Sequence, residues 1–197
     1  MIADLVRKTR SRRRFHENRA IPMETLKSLV DLGRLSASAA NRQPLKYILS
    51  AEPDKNEKIF PCLAWAAYLK DWAGPAIGER PAGYIIILVD TRISNDYWCD
   101  HGIAGQSILL GATEKGLAGC FIGAINKDRL RESLSIPDYF KIELVIALGE
   151  PAETIVIEST TDHDGNIRYW RDENGVHHVP KRPLEEVIAA AYPANQK

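Results

Sequence analysis

No stretch of this chain approaches the roughly 20 consecutive apolar residues that a membrane-spanning helix requires; the longest candidate, Tyr84-Ile-Ile-Ile-Leu-Val89, is only strand length. A secretory leader is not legible either, because MIADLVRKTRSRRRF carries charge but neither an apolar central region nor a small-residue cleavage site. Cysteine is scarce. Cys62, Cys99 and Cys120 are odd in number and lack CxxC spacing, which speaks against a disulfide framework and a closed zinc site. The expectation is a cytoplasmic protein whose thiols are reduced and mostly structural. Net charge is missing too: 26 Lys+Arg balance 26 Asp+Glu, so nothing draws the whole molecule toward nucleic acid or an anionic membrane, and any basic site must be local. There is no internal repeat, no low-complexity tract and no GxGxxG fingerprint. What is present is ordinary for a globular chain, with 45% hydrophobic and 26% charged residues, and 197 residues suit a single domain over 1–197.

Periodicity sketches a mixed α+β architecture. Leu26, Leu29, Val30 and Gly33 recur at helical spacing behind Pro22, which predicts an amphipathic helix over residues 23–35. A loop of Ser, Ala and Asn over 36–44 leads into a short strand over 47–50, and a second helix is expected between 56 and 65. Residues 70–81 are rich in Gly and Pro and read as loop. The near-continuous β-branched run 84–90 predicts a central strand buried on both faces. Residues 101–117 read as a helix whose small residues permit a close neighbour, in the core or at a subunit interface. An amphipathic segment at 127–134 is broken by Ile136-Pro137, and 144–149 reads as another strand. Asp172-Glu-Asn-Gly175 separates 167–171 from 176–179 as in a hairpin, and a last helix should begin near Pro183. Topology does not follow from this pattern.

Three segments could carry chemistry. Arg7-Lys-Thr-Arg-Ser-Arg-Arg-Arg14 gathers guanidinium groups beside a hydroxyl, a chemistry suited to a phosphate; a solvated basic segment or a nucleic-acid arm would look the same. Leu35-Ser-Ala-Ser-Ala-Ala-Asn-Arg-Gln-Pro44 sets the amides of Asn41 and Gln43 among small residues, where they could pair with the edge of a planar heterocycle or simply form turns. Gly116-Leu-Ala-Gly-Cys-Phe-Ile-Gly-Ala-Ile125 could bring backbone donors close to a ligand, or could be a helix terminus followed by a buried turn. Asp100-His101 and His177-His178 lack further ligands at a metal-site spacing, so no metal is expected. Trp65, Trp72, Trp98 and Trp170 fit packing better than ligand stacking, and Cys120 fits a small packing residue.

Taken in order, these segments resemble the nitroreductase family of FMN-dependent enzymes. Arg10-Ser11-Arg12-Arg13-Arg14-Phe15 is similar to the family's Arg-Ser-x-Arg-x-Phe element, residues 38–44 to its small-small-Asn-x-Gln-Pro loop, 116–124 to its glycine-rich segment, and 144–151 to its apolar strand ending Gly-x-Pro. The resemblance implies a nitroreductase-like three-layer sandwich, a central mixed sheet flanked by helices, that works as a homodimer with two FMN sites at the subunit interface, each built from both chains. It implies that Arg10, Ser11 and Arg13 hold the phosphate and ribityl or ring polar atoms, and that Ser38, Asn41 and Gln43 belong to the loop that reaches in from the other subunit. Ile122, Gly123 and Ala124 would lie beside the ring, and Lys181 with Arg182 would close on the phosphate. The chain departs from the family pattern at Thr9, Ala37 and Leu45, where arginine, proline and tryptophan are common, and segments 65–80 and 167–179 have no clear counterpart, so a substrate lid could lie in either.

The activity implied is ping-pong reduction of a nitroaromatic, quinone or similar small organic acceptor, with NADH or NADPH as transient electron donor and FMN carrying the difficult chemistry. No catalytic side chain is required, and neither nucleic acid nor membrane is an expected partner. An FMN-binding protein without turnover, and a flavin-dependent dehalogenase or flavin-fragmenting relative, share the same motifs.

Overall fold

The computed structural model describes residues 1–193. The chain divides into two compact units, Met1–Ala152 and Glu153–Lys197. In the first unit, helix α1 (Ile2–Lys8) precedes α2 (Met23–Arg34), strand β1 (Leu45–Ser50), α3 (Pro53–Ile59), β2 (Gly83–Asp90), α4 (Asp100–Glu114), β3 (Ala118–Ile122), α5 (Lys127–Leu134) and β4 (Phe140–Gly149). The strands form one sheet in the order β1-β2-β4-β3.

β2 and β4 occupy the centre, as the unbroken apolar run predicts, and every residue of β2 is buried. Side-chain alternation splits the core into two layers. Ile85 and Ile87 of β2 pack with Leu26 and Leu29 of α2 and Ile108 and Ala112 of α4. Tyr84, Ile86 and Leu88 pack on the opposite face with Ile59 of α3 and Leu130 of α5. Each fully buried aliphatic side chain contributes roughly 1.5–3 kcal/mol by removal from water, so the three-layer arrangement rests on this one strand's two faces. The register shifts between Ile87 and Leu88, and such a bulge reverses the alternation of β4 beyond it. Leu144 therefore packs on the α2/α4 side while Ile142 lies on the other.

The tight neighbours expected of α4 are present. A Cβ on Gly105 would stand 2.3 Å from the ring of Phe121, and one on Gly111 would stand 2.2 Å from Leu32. The helix expected over 56–65 starts earlier, at Pro53, and stops at Ile59, followed by a single 3-10 turn, Phe60–Cys62. Pro61 accounts for the early stop, since it has no N–H to continue the α-helical ladder. Residues 70–81 form neither helix nor strand. α1 and β3 had no sequence signal: α1 buries no residue, and β3 is a five-residue edge strand containing glycine. The three ladders of this sheet are antiparallel, and the isolated bridge of Ser11 with Gly119 beside β3 is parallel.

The second unit holds β5 (Ile155–Ser159), β6 (Trp170–Arg171), β7 (His177–Lys181) and the short α6 (Leu184–Val187). The hairpin is present with Gly175 at φ 76°, although β6 is only two residues long. β5 pairs in parallel with β7, a long-range partner for which no local sequence signal exists. No helix among the described residues is long and apolar enough to cross a membrane.

Candidate functional site

The amino-terminal arginine segment is an extended strap on the free edge of β3. Arg12 N–H donates to Gly119 O at 3.1 Å, Phe15 N–H to Glu79 O at 2.9 Å, and the ring of Phe15 is fully buried. Thr9 explains itself: its hydroxyl donates to Leu5 O at 2.7 Å and meets the Thr113 hydroxyl at 2.8 Å, tying the end of α1 to the last turn of α4. The arginines divide their tasks. Arg14 forms a two-pronged pair with the carboxylate of Glu79, and Arg13 Nη1 donates to the Ser11 carbonyl at 3.3 Å. Arg10 Nη2 donates to Val6 O at 2.8 Å, and its buried Nε meets no acceptor. A buried donor left unpaired is costly, which marks Arg10 as a residue with binding capacity unspent inside the chain.

The 36–44 loop is built on a buried carboxylate. Asp100, the first residue of α4 and 2% exposed, accepts from Ser38 Oγ at 2.6 Å and from Ala39 N–H at 2.9 Å. Ser38 Oγ in turn accepts from Gln43 N–H at 3.0 Å. Ala40, Asn41 and Gln43 all adopt positive φ, at 49°, 54° and 51°. Asparagine tolerates this region, but each of the other two costs on the order of 1 kcal/mol, and such strain persists only where the surroundings impose it. The result is that both amides are exposed side by side, with Gln43 Nε2 donating to Asn41 Oδ1 at 2.9 Å. Asn41 Nδ2 and Gln43 Oε1 remain as an adjacent donor and acceptor.

Beside this loop lies a cavity of about 420 Å³ whose lining includes Gly33, Ser38, Gln43, Tyr47, Asp100 and Ala104. Burial, and then the charge of Asp100, push the Tyr47 hydroxyl up to about 12, so it stays protonated across the neutral range. Asp100 and Tyr47 escaped the sequence reading. Asp100 was weighed there only as a metal ligand, whereas its carboxylate serves the loop. Among the described residues no group of three His, Cys, Asp or Glu is placed to hold a metal.

Three glycines of the glycine-rich segment stand in three different settings. Gly116 turns the chain at φ 76°, and Gly119 is packed so tightly that a Cβ would meet Ala147 O at 2.4 Å. Gly123 has neither excuse: a Cβ there would touch only Leu144, at an ordinary 3.7 Å. Gly123 and Ala124 are exposed at the end of β3, while Ile122 is buried in the core. Ala64 N–H donates to Ala124 O at 2.9 Å and Asn126 N–H to Cys62 O at 2.8 Å, which holds this exposed backbone in place.

These groups do not all meet within one chain. Thr9 anchors the arginine strap at Thr113, near the last turn of α4, whereas Ser38 anchors the amide loop at Asp100, its first residue. At 1.5 Å per residue the two anchors stand about 20 Å apart. The loop also feeds β1 and the strap runs along β3, the two opposite edges of the sheet. Lys181 and Arg182 lie in the second unit, at the end of β7, where Arg182 pairs with Glu186 at 3.2 Å.

The sequence profile of the nitroreductase family matches residues 6–150. The chain belongs to the nitroreductase family. Its relatives in that family include a Methanothermobacter thermautotrophicus protein provisionally assigned as an NADH dehydrogenase/NAD(P)H nitroreductase, 31% identical over 153 residues that cover 74% of this chain and 75% of the relative. An NADPH-dependent oxidoreductase of Staphylococcus aureus is 26% identical over 177 residues, covering 77% of this chain and 65% of its own length. An FMN-dependent nitroreductase of Clostridium difficile R20291 shares the fold with a TM-score of 0.64 at 23% identity, covering 78% of this chain and 88% of that one. A nitroreductase family protein of Streptococcus pneumoniae TIGR4 superposes with a TM-score of 0.70 at 18% identity, over 97% of this chain and 100% of that one. The nitroreductase match by profile ends at residue 150, so it takes in the strap, the loop and the glycine-rich segment but leaves out Lys181 and Arg182. The oxidoreductase class and the family fold expected from the motifs are those that the names and folds of these nitroreductase relatives state.

Proposed function

We propose that the protein is an FMN-dependent oxidoreductase that uses NADH or NADPH to reduce a nitroaromatic, quinone or similar small acceptor by a ping-pong mechanism, as a homodimer with 1–197 acting as one FMN-binding domain. The observation that carries this reading is the separation of the two motif sets: strained, outward-facing amides at one end of α4 and an unspent arginine at the other. One chain alone leaves each set half a site, and a two-fold partner supplies the missing half to both.

In this proposal Arg10, Ser11 and Arg13 take the phosphate and ribityl side, and the exposed backbone of Gly123 and Ala124, beside Ile122, borders the ring. The Asn41 and Gln43 donor–acceptor pair of the partner subunit reads a ring edge. Ser38 acts through the loop, because its hydroxyl is engaged by Asp100 and Gln43. Lys181 and Arg182 supply further positive charge for the phosphate. When bound, FMN supplies a two-electron acceptor for a hydride and a donor to the second substrate. The chain's own contribution is to bind, orient and limit access. The residues present fit such a group: a buried guanidinium donor without an acceptor, a glycine that no packing requires, and an open amide pair.

The test combines spectra with subunit mixing. The purified protein should show flavin absorbance that bleaches anaerobically with NADH or NADPH and returns on addition of a nitroaromatic or quinone. Arg10→Ala and Asn41→Ala homodimers should each lose FMN. Mixed dimers should regain one of their two sites, because one interface then carries both native halves. A colourless monomer that takes up no FMN refutes the proposal, and mixed dimers that stay empty refute the shared site.

A further inference from the structure

Among the described residues, seven other than glycine take positive φ, and four of them belong to the two segments that meet at the start of α4: Ala40, Asn41 and Gln43 in the amide loop, and Trp98. Strain of this kind concentrates at functional sites, and for a bulky side chain positive φ is an outlier. Trp98 adopts φ 42° in the turn that leads into the helix, closed by Asp100 N–H donating to Tyr97 O at 2.9 Å. The turn is held on both sides. Tyr97 donates its hydroxyl to Glu143 at 2.9 Å and lies edge-on to His101, while Asp96 pairs at 2.8 Å with Arg42, the residue between Asn41 and Gln43. Asp100 carries the amide loop itself through Ser38 and Ala39. Trp98 stands two residues from Asp96 and two from Asp100, so its Cα lies at most about 7 Å from either anchor.

The other tryptophans are used in packing, as the sequence leads one to expect. Trp65 is 9% exposed against Phe60, Trp72 packs on the core, and Trp170 stacks on His178. Trp98 is 77% exposed, and among the described residues its ring stacks on no other ring and its indole N–H meets no acceptor. The charges around it are paired off, Arg42 with Asp96 and Lys141 with Glu143. The turn thus presents a fixed, flat and uncharged face beside the amide pair. We propose that Trp98 is a specificity-determining residue for the acceptor: its indole stacks on the ring of a neutral, electron-poor aromatic acceptor in the flavin site that the same subunit's Asn41 and Gln43 enter. The inference rests on the preceding reading, in which that site belongs to the two-fold partner. The amides answer hydrogen bonds at a ring edge and the indole answers a ring face, so the two recognise different parts of the site's contents. An electron-rich indole favours a ring depleted by a nitro or carbonyl substituent, whereas a saturated ring of the same size offers it no π-face.

Equilibrium dialysis of the oxidised protein as purified, which cannot reduce its ligand, against nitrobenzene and nitrocyclohexane tests this, together with steady-state reduction of nitrobenzene. Trp98→Ala should raise both Kd and KM for nitrobenzene about tenfold while kcat at saturation stays within about twofold. Nitrocyclohexane binding should not change, and Trp98→Phe should recover most of the loss. Both variants should keep their flavin, bleach with NADH or NADPH and sediment as dimers. Nitrobenzene affinity indifferent to residue 98, or an equal loss for nitrocyclohexane, overturns the proposal. So does a Trp98→Ala protein that separates into monomers, since the indole is then a subunit contact. An unaltered protein without flavin defeats the preceding reading and this one with it, whereas flavin that bleaches normally beside a Kd independent of residue 98 defeats this one alone.

Discussion

Two irregular segments of this protein are pinned by carboxylates in opposite ways. In the first unit, the strained 38–43 loop hangs on one buried carboxylate, Asp100, which accepts two donors at the start of a helix. In the second unit, the β6–β7 hairpin is pinned by an imidazole. His178 Nδ1 faces Glu158 of β5 and its Nε2 faces Asp172 of the turn at 3.3 Å, while Trp170 stacks on the ring at 4.0 Å. Both nitrogens face acceptors, so the arrangement is complete only when the ring is protonated. Imidazole is the side chain whose ordinary titration falls between pH 5 and 8. The first pin is a matter of burial and geometry, and the second responds to pH.

Removing the buried pin should have the largest effect. Asp100→Ala strands the Ser38 hydroxyl and the Ala39 N–H and releases three positive-φ residues; a loss of about 3 kcal/mol is expected from chemical denaturation, together with loss of FMN. Ser38→Ala should cost about 1–2 kcal/mol, because Asp100 keeps one donor and the Gln43 N–H loses its acceptor. If Ser38→Ala matches Asp100→Ala in FMN retention, the loop is held by the serine more than by the carboxylate.

The hairpin pin is partly accessible to solvent, so smaller, pH-dependent effects are expected there. Burial opposes the charge of His178, but the hydrogen bonds that its ring donates to Glu158 and Asp172 outweigh it and raise the group above its ordinary 6.5. A raised histidine contributes stability that is fully present below 6.5 and lost as pH rises through the higher folded value. For Asp172 burial acts in the opposite sense, but the Val176 N–H, His178 and the Asn174 N–H hold it below its ordinary 3.8. Its contribution is present above 3.8 and lost as pH falls through the lower folded value. Hydrogen-exchange protection of residues 170–181, taken relative to the intrinsic rate at each pH, should therefore be greatest between about pH 4 and 6.5 and fall on the alkaline side. His178→Gln should remove that alkaline loss of protection while leaving protection in β2 unchanged. Protection that does not vary with pH in the unaltered protein would leave the two pins indistinguishable.

Legibility followed the range of the interactions involved. The central strand was visible because burial on both faces demands an unbroken run such as Ile85, Ile86 and Ile87, and α2 was visible because one buried stripe demands Leu26 and Leu29. The motif residues were legible through family resemblance, and Gly123 stands apart from Gly116 and Gly119 only once their surroundings are seen. Asp100 was misjudged because its partners are some 60 residues away, and β5 was missed because its parallel partner β7 is distant along the chain. The Pro53 start of α3 was overlooked although proline at the first helical position is a recognised start signal.

The sequence by itself determined the family, the alternation of helix and strand, and which residue types were available to hold a phosphate or read a ring edge, because these depend on local composition and spacing. Only the tertiary structure decided that the arginine strap and the amide loop sit at opposite ends of one helix, and that Asp100 serves the loop. Each of these depends on which distant side chains share a neighbourhood, and burial and hydrogen-bond satisfaction are settled only when the whole chain has packed.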